Sequence, residues 1–267
     1  MPGTRRTNTI EGRFDVRQAA AAFAPIVGAF SALAVTAIIV LFTVPPRPTS
    51  YRAPFVALAA GLLAVAMIGS FTGSFSLAAI GAEEDSTANL VPAMMFSHAS
   101  VMLSLVVVLA AFEVLAAIYL PGSKTLFALI TATTGLFGST RCSLGVSDAW
   151  YAGPSDVRER SSWLSTQWIQ SHQQAYKSTN QVMLVSAVPV VLGIVSRLLG
   201  AKEAPTTTSV NWLVGIGFTL TISLNIIGLY RSRHPVDRVQ RGLRRNEAFA
   251  IPLSISLYVL GLMIFLP

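Results

Sequence analysis

Residues 91–120 read VPAMMFSHASVMLSLVVVLAAFEVLAAIYL, a stretch without Lys, Arg or Asp in which His98 and Glu113 are the only histidine and carboxylic acid. About 20 predominantly apolar residues in helical conformation cross a hydrocarbon core of about 30 Å. A helix facing water on one side would break this run into a stripe of apolar positions every three or four residues, and no such interruption occurs. The stretch therefore predicts a membrane helix.

Six further segments have the same character, giving predicted spans at Ala19–Val44, Pro54–Ile80, Val91–Leu120, Thr125–Leu144, Gln181–Gly200, Val210–Tyr230 and Ala248–Leu266. Helix breakers stand between them: Pro45, Pro46 and Pro48, then Pro121 with Gly122, then Pro205. The composition agrees, with 53% hydrophobic and 12% charged residues, against roughly 25% charged in soluble domains. The predicted fold is an all-α integral membrane protein, one transmembrane domain over residues 1–267 with about seven spanning helices. The apolar run after Arg5, Arg6, Arg13 and Arg17 is longer than the roughly 7–15 residues of a signal peptide, so the first helix is expected to stay in the membrane.

Arginine and lysine placement predicts the orientation. With the N-terminus inside, 14 of the 19 basic residues fall on the inner side and 5 on the outer, the outer ones being Arg47, Arg52, Lys124, Arg197 and Lys202. This favours a multi-pass protein with a cytoplasmic N-terminus and a C-terminus on the opposite side. The net charge of +7 then follows from orientation rather than from nucleic-acid binding, because the basic residues lie between or at the ends of the apolar runs. Six arginines crowd residues 231–245 with one acid, Asp237, and such a cluster attracts anionic lipid by about 1 kcal/mol per charge. The fourth span is the most polar, with Thr131, Thr133, Thr134, Ser139, Thr140 and Arg141, which leaves a re-entrant segment as its alternative.

Between the fourth and fifth spans, Leu164, Trp168, His172 and Tyr176 recur every four residues, with Trp163 and Ile169 adjacent and polar residues on the other faces. Asp156–Lys177 accordingly predicts an amphipathic helix in the membrane interface or docked on a protein partner, with Trp163, Trp168 and Tyr176 at headgroup depth.

Ionisable groups inside a span cost at least a few kcal/mol unless paired or hydrated, so each is a candidate functional group. Glu113 lies seven residues from the end of its span at Leu120, about 10 Å deep at 1.5 Å per residue. With no Lys or Arg expected at that depth, the carboxyl is expected to be protonated, facing other helices, and satisfied by Thr131 or Thr134 of the fourth span, with Tyr258 of the seventh in reach. His98 stands seven residues inside the opposite end, among Ser97, Ser100 and Ser104, on a broad face shared with Glu113 but about 22 Å away. Arg141 either pairs near His98 or snorkels to the headgroups. Glu83, Glu84 and Asp85 form an acidic cluster able to hold a cation or a cation-bridged phosphate, or to remain a solvated turn. Gly69, Gly73 and Ser76 follow a small-xxx-small pattern for close helix packing, interleaved with Phe71 and Phe75, while Asn225, Ser254 and Ser256 are expected to hydrogen-bond between helices.

No cofactor is expected. The lysines are Lys124, Lys177 and Lys202, none in the last span, which excludes a retinal Schiff base there; Cys142 is the sole cysteine, which excludes a Cys-based metal motif. The acidic-Arg-aromatic triplet of G-protein-coupled receptors is absent after the third span, and no internal repeat of the kind many secondary transporters carry is visible. The sequence thus points first to a small transporter, a channel-like protein or an accessory subunit of a membrane complex. A membrane-embedded enzyme acting on a lipid or isoprenoid comes second, and a structural membrane partner third. No motif assigns a catalytic residue.

Overall fold

The computed structural model describes residues 16–43, 53–82, 90–151, 166–199, 206–233 and 245–266, with the backbone alone described over 139–151 and 166–179. The described chain is all-helical: α1 (Val16–Thr43), α2 (Ala53–Gly81), α3 (Leu90–Tyr119), a 3-10 turn at Pro121–Ser123, α4 (Lys124–Tyr151), α5 (Thr166–Leu198), α6 (Thr207–Arg233) and α7 (Arg245–Phe265). Local chemistry sets several boundaries. α1 is described as far as Thr43, close to Pro45, a residue type that ends helices. Pro121 ends α3 and opens the one-turn link to α4.

Five helices, α1, α2, α3, α5 and α6, are long and apolar enough to cross a membrane; α4 and α7 are apolar over the shorter stretches Thr125–Gly138 and Phe249–Phe265. The bundle is a polytopic membrane fold in which successive helices run up and down, and the end at which α1 begins is called the near end below. α3 is its central element, packed against α1, α2, α4, α6 and α7. The shared core includes Leu58, Leu62, Leu63, Leu103, Ile255 and Leu262, all essentially inaccessible. Phe71 and Phe75 point outward, ring edge to ring face with centroids 4.8 Å apart. Exposed apolar side chains of this kind are what a bilayer-facing surface requires.

Burial of apolar area does not hold helices together against lipid, since hydrocarbon is as apolar as leucine; close packing and interhelical hydrogen bonds do. Both are present. A Cβ on Gly69 would overlap Ser104 Oγ and Thr221 Cγ2, so the missing side chain is what lets α2 approach α3 and α6 together. Gly217 does the same where the Tyr258 ring of α7 crosses α6, and the Tyr258 hydroxyl then donates to the Leu213 carbonyl at 3.1 Å. Between α1 and α2, Ser31 donates to the Met67 carbonyl and Ser74 to the Ala24 carbonyl, at 3.1 and 2.7 Å. Ser254, expected to bond between helices, donates to the Ile251 carbonyl of its own helix, and Ser256 donates to the Pro252 carbonyl. The i−3 and i−4 carbonyls lie within a hydroxyl's reach, which makes this back-bonding the nearest way to satisfy a helix serine.

The re-entrant alternative for the fourth span falls away, and one further expectation changes. α4 is one continuous helix of 28 residues, so it is not a re-entrant hairpin. α5 is one helix of 33 residues, about 50 Å long, and the chain from Thr166 to Lys177 extends the fifth membrane helix rather than forming a separate interfacial one. The reason is local: Ser178, Thr179 and Asn180 are polar but none breaks a helix. Residues 156–165, with Trp163, lie outside the described residues. Trp168 and Tyr176 belong to α5 by backbone, and their side chains lie outside the described set.

Candidate functional site

Two buried polar centres are built on α3. The first is an ion pair between the Glu113 carboxylate and the Arg197 guanidinium of α5. The Glu113 side chain is fully buried and that of Arg197 is 13% exposed. Ala110, Ala111 and Val114, beside the acid along α3, also have no accessible surface, so the Glu113 end of the pair lies within the packed bundle. Arg197 is next to the last residue of α5, where its positive charge also complements the helix C-terminus.

This pair corrects the sequence reading in two ways. Arg197 is not simply an outer-side charge, and the level of Glu113 is not free of cations. An arginine side chain spans more than one helical turn, so a residue assigned to a loop by position reaches back into the bundle. The premise for a neutral Glu113 therefore fails. The expected hydroxyl partners are committed elsewhere: Thr131 donates to the Phe127 carbonyl at 2.9 Å and Tyr258 to Leu213. Thr134 stands half-buried on α4.

α5 carries the arginine on an irregular framework. Pro189 lies inside the helix two turns before Arg197, where it removes one backbone hydrogen bond and favours a bend. Gly193, one turn before Arg197, receives the Met263 side chain of α7, and a Cβ there would come within 3.2 Å of the Met263 Cβ.

The second centre is an amide–hydroxyl cluster joining α2, α3 and α6. Asn225 Nδ2 donates to Thr72 Oγ1 and Ser100 Oγ, both at 2.8 Å, and lies 3.0 Å from the Thr221 carbonyl. Ser100 donates to the Thr221 carbonyl at 3.3 Å, and Ser104 to the Ser100 carbonyl at 2.9 Å. Asn225 thus makes the interhelical bonds expected of it. Glu113 is nine residues beyond Ser104, half a turn around the helix at about 100° per residue, so the two centres occupy opposite faces of α3.

His98 belongs to neither centre. It is half-buried against α1, its ring edge-on to Phe23 with centroids 6.5 Å apart. Arg141 lies on α4 where only the backbone is described, and Glu83, Glu84 and Asp85 lie outside the described residues. No group of three His, Cys, Asp or Glu residues that could hold a metal occurs among the described residues. At the near end another ion pair, Arg231–Glu247, clamps α6 to the first turn of α7, which places the first arginine of the arginine-rich stretch in a structural contact.

Two cavities open at the bundle surface. One, of ≈ 620 Å³, runs along α6 past Asn211, Gly215 and Thr219; the other, of ≈ 330 Å³, lies between α1 and α3 at Leu41 and Phe112. Neither is lined by Glu113 or Asn225. No protein-family model, curated protein or solved structure matches the chain.

Proposed function

We propose that the protein is a small membrane transport protein with all seven helices crossing the bilayer, working through the Glu113–Arg197 pair. The observation that carries this reading is a pair of opposite charges enclosed between two membrane helices, with the carboxylate wholly buried. Apolar side chains of similar volume would fill this site at least as well, because two charges taken out of water lose more hydration than their attraction readily restores. Retained intramembrane charges commonly mark solute or proton pathways. A proton taken by Glu113, or an anion competing for Arg197, would break the link between α3 and α5, and Pro189 offers a point at which the end of α5, otherwise packed on α4 and α7, could bend.

Reconstitution into liposomes tests this. Solid-supported-membrane recordings should show charge displacement driven by gradients of protons, inorganic anions or small carboxylates, and Glu113→Gln/Arg197→Gln should abolish it while remaining folded. Wild-type currents no larger than those of protein-free vesicles across the whole set would sink the transport reading. That result would favour an accessory subunit, a reading with its own support: the two polar centres lie on opposite faces of α3 and define no common path. The enzyme reading has no comparable geometric support.

The orientation proposed with this function is N-terminus cytoplasmic, C-terminus outside, with anionic lipid headgroups gathered by the arginines of residues 231–245. In a Cys142→Ser background, Asn8→Cys is expected to be protected from a membrane-impermeant maleimide in intact cells and Gly122→Cys to be labelled. The reverse pattern, or equal labelling of both, would overturn the orientation.

A further inference from the structure

Asn225 spends its two amide protons on Thr72, Ser100 and the Thr221 carbonyl, which leaves Oδ1 as a pure acceptor. Oδ1 is enclosed and meets no donor among the described residues. Two hydroxyls share that condition: Ser76 Oγ and Ser97 Oγ are buried without a partner among the described residues, and both side chains have no accessible surface. A buried polar group left in this state loses its hydration without a replacement hydrogen bond. Three in one part of a bilayer-embedded bundle make an arrangement that calls for a common partner.

Helix direction brings them together. Ser76 follows Thr72 by one turn of α2, Ser97 precedes Ser100 by one turn of α3, and both steps lead toward the near end of the bundle. Gly228 follows Asn225 by one turn of α6 in the same direction, so α6 brings no side chain to this layer. Its position is fixed by contact, since a Cβ on Gly228 would lie 3.1 Å from Ser97 Oγ. Asn225 Oδ1 looks toward Gly73 of α2, at 3.9 Å from where a Cβ would be. An acceptor and two hydroxyls therefore lie within one helical turn of each other, at the level where α6 carries only the hydrogen of Gly228.

We propose that this layer binds a structural water that bridges Asn225 Oδ1, Ser97 Oγ and Ser76 Oγ. Buried waters characteristically make about three hydrogen bonds to groups that otherwise lack partners. A water can donate to the amide oxygen while accepting from, or donating to, either hydroxyl. A monovalent cation fits less well, because Asn225, Ser76 and Ser97 supply no negative charge to compensate one inside a membrane. The bridge completes a joint among α2, α3 and α6 and is independent of the transport reading.

Water-edited solid-state NMR on the full chain in liposomes tests the assignment. Magnetisation from water protons is expected to reach the side chains of Ser76, Ser97 and Asn225. It should fail to reach Ser70, which is equally buried on α2 but already donates to the Ala66 carbonyl at 2.7 Å. Ser76→Ala/Ser97→Ala, which alanine's helix propensity makes compatible with folding, should remove the transfer at Asn225. Three results overturn the proposal: no transfer at the three residues, equal transfer at Ser70, or Asn225 resonances that move when sodium replaces potassium, which would identify a cation instead.

Discussion

Arg197→Ala is expected to destabilise the folded bundle by about 3–5 kcal/mol, because it leaves the buried Glu113 carboxylate without its counter-charge. The expectation rests on the asymmetry of buried ion pairs: removing one partner is costly, whereas removing both can be nearly neutral. Glu113→Gln/Arg197→Gln should therefore recover most of the loss, and Glu113→Leu/Arg197→Leu should stand close to the parent. Reversible unfolding in bicelles by steric trapping reads all three against wild type. A loss below about 1 kcal/mol for Arg197→Ala would place the pair in the class of weak, solvated ion pairs and remove the basis for giving it a working role.

The second large effect is expected at Gly69. Gly69→Ala should cost toward the upper part of the about 1–3 kcal/mol typical of overpacking, and Gly69→Leu should prevent the folded state from accumulating. Two side chains would be overlapped, and they differ in freedom. Ser104 can rotate its hydroxyl aside. The Thr221 methyl is less free, because its own hydroxyl donates to the Gly217 carbonyl at 2.6 Å and holds the rotamer. Thr221→Ser deletes that methyl and keeps the hydroxyl, so it should restore stability to Gly69→Ala while having little benefit alone. The same unfolding measurement closes the double-mutant cycle. Gly69→Ala as stable as the parent would show that α2 does not depend on this contact to meet α3 and α6.

The helical membrane fold was legible because length and apolarity are local properties, carried by runs such as 91–120. The small residues at 69 and 73 were legible for the same reason, since their spacing along one face is fixed by the helix. The site was legible only in part. Glu113 stood out as an acid in an apolar run, but its partner lies on a different helix in a position that linear counting assigns to a loop. Arg197 carried one usable signal: a long basic side chain in the last turn of the helix. The extent of α5 was misjudged because an aromatic repeat suggested a separate element, whereas the residues between it and the span contain no breaker. The hydroxyl partners expected for Glu113 failed for a general reason. A threonine or tyrosine advertises a hydrogen bond in the sequence but not which carbonyl receives it.

The position of the ion pair along the chain also bears on synthesis. Glu113 belongs to the third helix and Arg197 to the fifth, 84 residues apart. At about 5–20 residues per second, roughly 4–17 s elapse after the acid emerges from the ribosome before the arginine does. During that interval the Glu113 carboxyl of α3 lacks the Arg197 guanidinium. The release of α3 into lipid is thus best matched to the arrival of α5, which ties the order of membrane insertion to a contact completed only after two more helices have been made.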